Sequence, residues 1–356
     1  MATISHLRRS LVAAGILVSV AIPQVAYAQS DELDKLLEQG REFVEARNWS
    51  GALAAFQRAS AIDNRNARIF SGMGFAFAQE GRFQEAAEAY RQAVALESTN
   101  ADFFYALGFS LANLGNDSEA EEAYRQATQL DRRNVNAFLG LGTVLSRQGQ
   151  FSQALSAYQQ AARLDRRSAE AQESIGLMLL QLGRTTQGMT ALQAATRLNP
   201  RRTSSHVAMG IALLDQGNSQ AALNAFNQAV RIDPSNSKLH LQIGKILREK
   251  GDNTAALSAF QRSVNLDRES AEAQFALAEA ALANNETMRS VMAFREVIKL
   301  DPNNAAAHYQ MGLALRARNF TQDAIEAFRR AKMLFEEQGK TDEMKKVEQA
   351  LSEAKP

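Results

Sequence analysis

From Leu33 to Gln338 the chain returns to one pattern every 34 residues. A first column holds Gly40, Gly74, Gly108, Gly142, Gly176, Gly210, Gly244, Ala278 and Gly312. Twelve residues on come Ala52, Ala86, Ala120, Ala154, Gly188, Ala222, Ala256, Ser290 and Ala324. A third small column runs through Ala59, Ala93, Ala127, Ala161, Ala195, Ala229, Ser263, Val297 and Ala331. Between these two lies a bulky column: Phe56, Tyr90, Tyr124, Tyr158, Leu192, Phe226, Phe260, Phe294 and Phe328. A period of this length marks stacked supersecondary units, none of which can bury its apolar faces alone.

Each unit reads as two amphipathic helices, for example ADFFYALGFSLANLG followed by NDSEAEEAYRQATQL. Gly81, Gly115, Gly149, Gly183, Gly217 and Gly251 stand where the first helix ends, a place for a left-handed residue. Small residues at the crossings let the helices approach closely, and the rings fill the space between pairs. From Thr341 to Ala354, Met344, Val347 and Leu351 fall on one helical face, which predicts a helix covering the last repeat. Repeat eight departs from the columns at Ala278, Asn285, Ser290 and Val297. Repeat nine reads as shortened around Asn319-Phe320, so an altered crossing is expected near these two repeats.

With its Leu-Gly pairs (Leu107-Gly108, Leu141-Gly142), its alanines and the ends Asp233-Pro234 and Asp301-Pro302, the pattern resembles the tetratricopeptide repeat (TPR) family. The resemblance implies an all-α, right-handed superhelical solenoid of nine helix-turn-helix repeats with a C-terminal capping helix. The repeats occupy 29–338, as 33–66, 67–100, 101–134, 135–168, 169–202, 203–236, 237–270, 271–304 and 305–338, with the cap and tail in 339–356.

At the start, Arg8 and Arg9 precede an uncharged apolar run from Leu11 to Ile22, then Pro23 and Ala26-Tyr27-Ala28. These are the parts of a signal peptide spanning 1–28, too short for a comfortable membrane span, and cleavage is expected after Ala28. The reading places the protein in an exported compartment: the periplasm, or a thylakoid lumen in a cyanobacterium. The pair Arg8-Arg9 also weakly matches a twin-arginine signal. Removing two arginines from 40 Lys+Arg leaves 38 against 39 Asp+Glu, so no global basic field favours nucleic acid. Cys is absent, which excludes disulfides and thiolate chemistry.

The chain has no strand-loop-helix phosphate loop, no HExxH and no GxSxG, and it reads as a non-enzyme without cofactor. The glycine-rich GMGFAFAQEG reads as packing, because Gly72 and Gly74 lie inside a first helix. His206, His240 and His308 share the fourth position of their repeats, filled elsewhere by Phe70, Phe104 and Phe138. That ladder suits packing better than convergence on an ion about 2.0 Å away. The carboxylate pairs Glu170 with Glu173 and Glu272 with Glu279 are a minor candidate for a hard cation.

In the TPR family, positions two, five, nine and twelve of the first helix face a groove. Position five here carries Tyr105, Leu139, Leu241, Phe275 and Tyr309. Position nine carries Phe75, Phe109, Leu177 and Ile211, and position twelve adds Leu180. The resemblance therefore implies an apolar groove for a protein or peptide partner, with self-association as a further use. Lys245 and Arg248, with Lys238, make a local basic spot near Glu272 and Glu279. The Lys-five, Asn-nine clamp for C-terminal carboxylates is missing. Export signal and repeat count also resemble cyanobacterial processing-associated TPR proteins, which implies an alternative role in photosystem II assembly and manganese delivery. Arg132 with Arg133, Arg166 with Arg167, and Arg201 with Arg202 sit in successive inter-repeat turns, a basic edge read mainly as solvated charge.

Overall fold

The structure is a computed structural model that describes residues 30–354, so the expected signal peptide and its cleavage site lie outside the described residues. Among the described residues there are helices and turns, and no strand. The chain divides into two compact units after Arg184. The first holds α1 (30–45), α2 (Trp49–Ile62), α3 (Ala67–Gln79), α4 (Phe83–Leu96), α5 (Ala101–Asn113), α6 (Asp117–Leu130), α7 (Val135–Arg147), α8 (Phe151–Leu164) and α9 (Ala169–Gln181). The second holds α10 (Thr185–Leu198), α11 (Thr203–Asp215), α12 (Ser219–Ile232), α13 (Ser237–Glu249), α14 (Asn253–Leu266), α15 (Ala271–Ala283), α16 (Thr287–Leu300), α17 (Ala305–Arg316), α18 (Thr321–Glu337) and α19 (Thr341–Glu353).

Within each unit, consecutive helices form antiparallel hairpins and each hairpin packs on the next, giving a solenoid. The crossings follow the small-residue column. A Cβ added to Gly108 would stand 2.9 Å from Tyr124 Cδ1, and one on Gly210 would stand 2.8 Å from Phe226 Cζ. A side chain there would occupy the ring's own place, so only hydrogen lets the helices close on the aromatic. Phe226, Phe260, Phe294 and Phe328 are among the largest side chains sealed from solvent. Each such ring removed from water stabilises the stack by about 1.5–3 kcal/mol.

Turn chemistry fixes the ends. Asn66, Asn100, Asn134 and Ser168 each accept a backbone N–H from the first turn of the helix that follows, which satisfies one orphan donor. Inside each hairpin the chain reverses through a left-handed residue, with φ of +74° at Gly81 and +74° at Gly149. Repeats eight and nine keep that geometry without glycine, at Asn285 (φ +62°) and Asn319 (φ +64°). Asparagine tolerates this region better than other L-residues. Asn319 falls one full period after Asn285, which corrects the expected shortening of repeat nine. The departure is in residue type, and α17 has 12 residues where α15 has 13. Val347, Ala350 and Ala354 bury against the Phe328, Leu334 and Phe335 cluster, with Met344 and Leu351 partly buried on its flank. No helix of the described residues is long and apolar enough to cross a membrane.

Candidate functional site

The first unit contains a cavity of about 640 Å³ formed where α1, α3 and α5 lie side by side. Buried Phe56, Tyr90 and Phe103 underlie it, and Leu37, Val44, Gly72, Phe75, Tyr105 and Ala106 line it. Tyr105 tilts against Tyr124 with ring centroids 6.0 Å apart. Burial holds the Tyr90 and Tyr105 hydroxyls above their ordinary pKa, so both stay neutral at physiological pH. Exposed Arg41, Glu45, Arg68 and Asp102 complete the lining with both signs of charge. Apolar walls with a few charged groups are what an extended apolar segment requires: burial supplies affinity and the charges set direction.

Phe75 ties this cavity to the one tryptophan of the chain. Its ring stands edge-on to Trp49, 6.1 Å between centroids, and Phe109 repeats the arrangement with Phe83 at 6.1 Å. Both phenylalanines sit at position nine, which carries four exposed apolar residues: Phe75 is 40% exposed, Phe109 43%, Leu177 38% and Ile211 50%. Position five is different. Tyr105, Leu139, Phe275 and Tyr309 are half-buried, as is Leu180 at position twelve. Phe275 stands edge-on to Phe294 at 5.4 Å, and Tyr309 tilts over Phe328 at 5.9 Å. Leu241 is 5% exposed and belongs to the core around Phe260, which removes it from any groove surface. These side chains lie against the ring column, so part of the expected groove is interior.

Two cations of the basic spot in the second unit are paired. Lys245 meets Glu272 at 2.6 Å and Arg248 meets Glu279 at 2.6 Å, two ion pairs that join α13 to α15. They flank a smaller cavity of about 450 Å³ that includes Phe275. Pairing with Glu272 and Glu279, the acids that the sequence places near them, leaves Lys245 and Arg248 less available to orient a ligand.

The fourth-position histidines do more than fill space. His206, His240 and His308 each place Nε2 within 3.0, 3.1 and 3.2 Å of a prolyl carbonyl six residues back, on Pro200, Pro234 and Pro302. Gln274 makes the same bond through Nε2 to the Arg268 carbonyl in repeat eight. Burial, the largest influence, lowers the pKa of His308. Gly72 and Gly74 lie in α3 beneath the rings of Phe56 and Tyr90. Among the described residues no three His, Asp or Glu side chains gather closely enough to hold a metal ion.

In the inter-repeat turns, Arg132, Arg133, Arg166, Arg167 and Arg201 are exposed and Arg202 is half-buried. The backbone N–H of Arg133 donates to Asp131 at 2.8 Å, that of Arg167 to Asp165 at 2.9 Å, and that of Arg201 to Asn199 at 3.1 Å. The residues that position reasoning omitted are Leu37, Arg41 and Val44 of the first repeat, with Arg68 and Asp102 at position two. The same position rule, applied to every repeat, reaches all five.

Comparison with known proteins places these observations. The family described as tetratricopeptide repeat matches residues 37–90, 139–203, 207–274, 241–291 and 275–340, and a further match covers 101–134. A TPR repeat description matches 76–115. A TPR repeat-containing protein of Picosynechococcus is 35% identical over 75 residues, which is 20% of this chain and 19% of that protein. Three solved structures share the fold. A tetratricopeptide repeat protein from Parabacteroides merdae is 17% identical with a TM-score of 0.52, over 70% of this chain and 98% of its own. PilF of Pseudomonas aeruginosa is 22% identical with a TM-score of 0.51, over 60% of this chain and 97% of its own. The APC/C heterotetramer Cut9–Hcn1 gives 20% and 0.51, over 81% of this chain and 55% of the matched chain. At these identities the likeness is one of fold. Matches along most of its length, on a 34-residue stack of helical hairpins, make this chain a member of the tetratricopeptide repeat family.

Proposed function

We propose that this protein is a non-enzymatic protein-binding scaffold that holds an extended, apolar segment of a partner in the cavity of its first three repeats. The observation that carries the reading is the contrast between two comparable surfaces. Between α1, α3 and α5 the lining is aromatic and aliphatic, and its four charged side chains are exposed. Between α13 and α15 the charges are already joined in ion pairs. A ligand entering the second surface meets charges already paired, whereas one entering the first buries apolar walls and finds Arg41, Glu45, Arg68 and Asp102 at their edge. An exported location, from the signal-like residues 1–28, would make the partner an envelope or lumenal protein.

The test is selection of random peptides on the immobilised full chain, followed by calorimetry. The reading expects enriched sequences rich in aromatic and branched aliphatic residues. Phe75→Ala with Tyr105→Ala should weaken them by about tenfold or more, since truncating two lining rings removes anchors worth more than 1 kcal/mol each. Peptides that bind the double variant as well as the parent, with unchanged circular dichroism, would move the binding site elsewhere.

A further inference from the structure

Away from the cavity, the turns joining α6 to α7 and α8 to α9 carry four exposed guanidinium groups, those of Arg132, Arg133, Arg166 and Arg167. Some arginines elsewhere in the first unit close on carboxylates, among them Arg82 on Glu85 at 2.8 Å, Arg91 on Glu119 at 2.6 Å, Arg125 on Glu121 at 2.8 Å and Arg147 on Asp117 at 3.2 Å. None of the four turn arginines is within ion-pair distance of an acid among the described residues. The two acids in the same turns bond the backbone. Asp131 and Asp165 accept the backbone N–H groups of Arg133 and Arg167, which fixes the turn and leaves the guanidinium groups outward. Asn134 and Ser168 cap the helices that follow, so the backbone bearing these arginines is held on both sides. Leu130 and Leu164 precede the turns at 42% and 40% exposure, an apolar shoulder beside each arginine pair.

We propose that this edge is a second docking surface and that it takes an extended acidic segment of a protein. Guanidinium groups pair with carboxylates in a two-pronged geometry. Adjacent hairpins put the two turns about 10 Å apart, and an extended chain covers that distance in about three residues. A segment alternating acidic and apolar residues therefore reaches both arginine pairs while its apolar side chains meet Leu130 and Leu164. The chain as a whole is close to neutral, so the attraction is local to this edge.

The experiment uses the full chain and a fluorescein-labelled peptide of alternating Glu and Leu, about ten residues long, read by anisotropy. Binding is expected, and it should weaken as NaCl rises from about 0.05 to 0.5 M. Replacing the four arginines with Gln should cost about tenfold or more. Phe75→Ala with Tyr105→Ala should leave this binding unchanged, which separates the edge from the cavity. Arg→Glu at the four positions should transfer binding to a Lys–Leu peptide. The proposal is overturned by a parent protein that ignores the Glu–Leu peptide, by equal binding of the four-Gln variant, or by equal binding of a Gln–Leu peptide. Arginine-dependent retention on phosphatidylglycerol vesicles without peptide binding would assign the edge to lipid and overturn the protein assignment.

Discussion

Replacing Gly142 with alanine tests the packing rule on which the repeat rests. A Cβ at Gly142 would stand 2.6 Å from Tyr158 Cε1 and 2.8 Å from both Cδ1 and Cζ. Carbon atoms settle at about 3.5–4.0 Å, so the whole ring must retreat by about 1 Å. It has little freedom to do so: Tyr158 is buried, and its hydroxyl lies 3.2 Å from that of Thr143. Overpacking costs about 1–3 kcal/mol, and a 2.6 Å approach to a buried ring puts this case in the upper part of that range, about 2–3 kcal/mol. Alanine returns about 1 kcal/mol through helix propensity. The net loss should be about 1–2 kcal/mol, or about 2–8 °C in melting temperature for a unit of this size. Urea unfolding followed by Trp49 emission and by circular dichroism reads the change. The same substitution in a Tyr158→Leu background should be neutral or stabilising, giving a coupling of about 2 kcal/mol in a double-mutant cycle. A Gly142→Ala protein as stable as its parent, or a coupling near zero, would refute the reasoning. Repeat eight shows the alternative: Ala278 and Phe294 are both sealed there, with Phe275 edge-on to the ring. Alanine is tolerated when the ring has been packed around it.

Further outcomes follow from single side chains. Ser290 is sealed from solvent with its hydroxyl unpaired where most repeats carry Ala, so Ser290→Ala should raise stability by about 1–2 kcal/mol in urea titration; a loss would mean the hydroxyl has a partner. His308 has its pKa lowered by burial, so below its unfolded pKa the unfolded chain binds more protons and stability declines with acidification. His308→Gln keeps the possibility of a bond to the Pro302 carbonyl, as Gln274 bonds Arg268, and should lose less melting temperature between about pH 7.5 and 5.5. Equal losses would show that His308 does not titrate there. Asn285→Gly relieves a left-handed residue at φ +62° and should stabilise by about 0.5–1 kcal/mol in urea titration. Destabilisation would show that the Asn285 side chain contributes more than its backbone strain costs.

The crossing columns made the solenoid legible because packing at a crossing depends on residue size, which sequence displays directly. Gly108 and Tyr124 sit sixteen residues apart and meet as their spacing implies. Position five was harder, because one helical face borders both groove and core, and a half-turn of side-chain direction decides between them. Leu241 and Tyr309 share a column, yet one is interior and the other half-buried. The pairing of Lys245 with Glu272 joins helices 27 residues apart, a partnership that periodicity cannot specify. The glutamine that replaces histidine at Gln274 was hidden because different chemistry makes the same bond.

The cavity of the first three repeats is the centre of the functional account, and Trp49 reports on it without a label. Its ring contacts Phe75, which lines the cavity, and it is the protein's single tryptophan. Titrating a library-selected, tryptophan-free peptide into the full chain should shift Trp49 emission saturably, with the same midpoint as calorimetry. Calorimetric binding that leaves Trp49 emission unchanged would contradict the account.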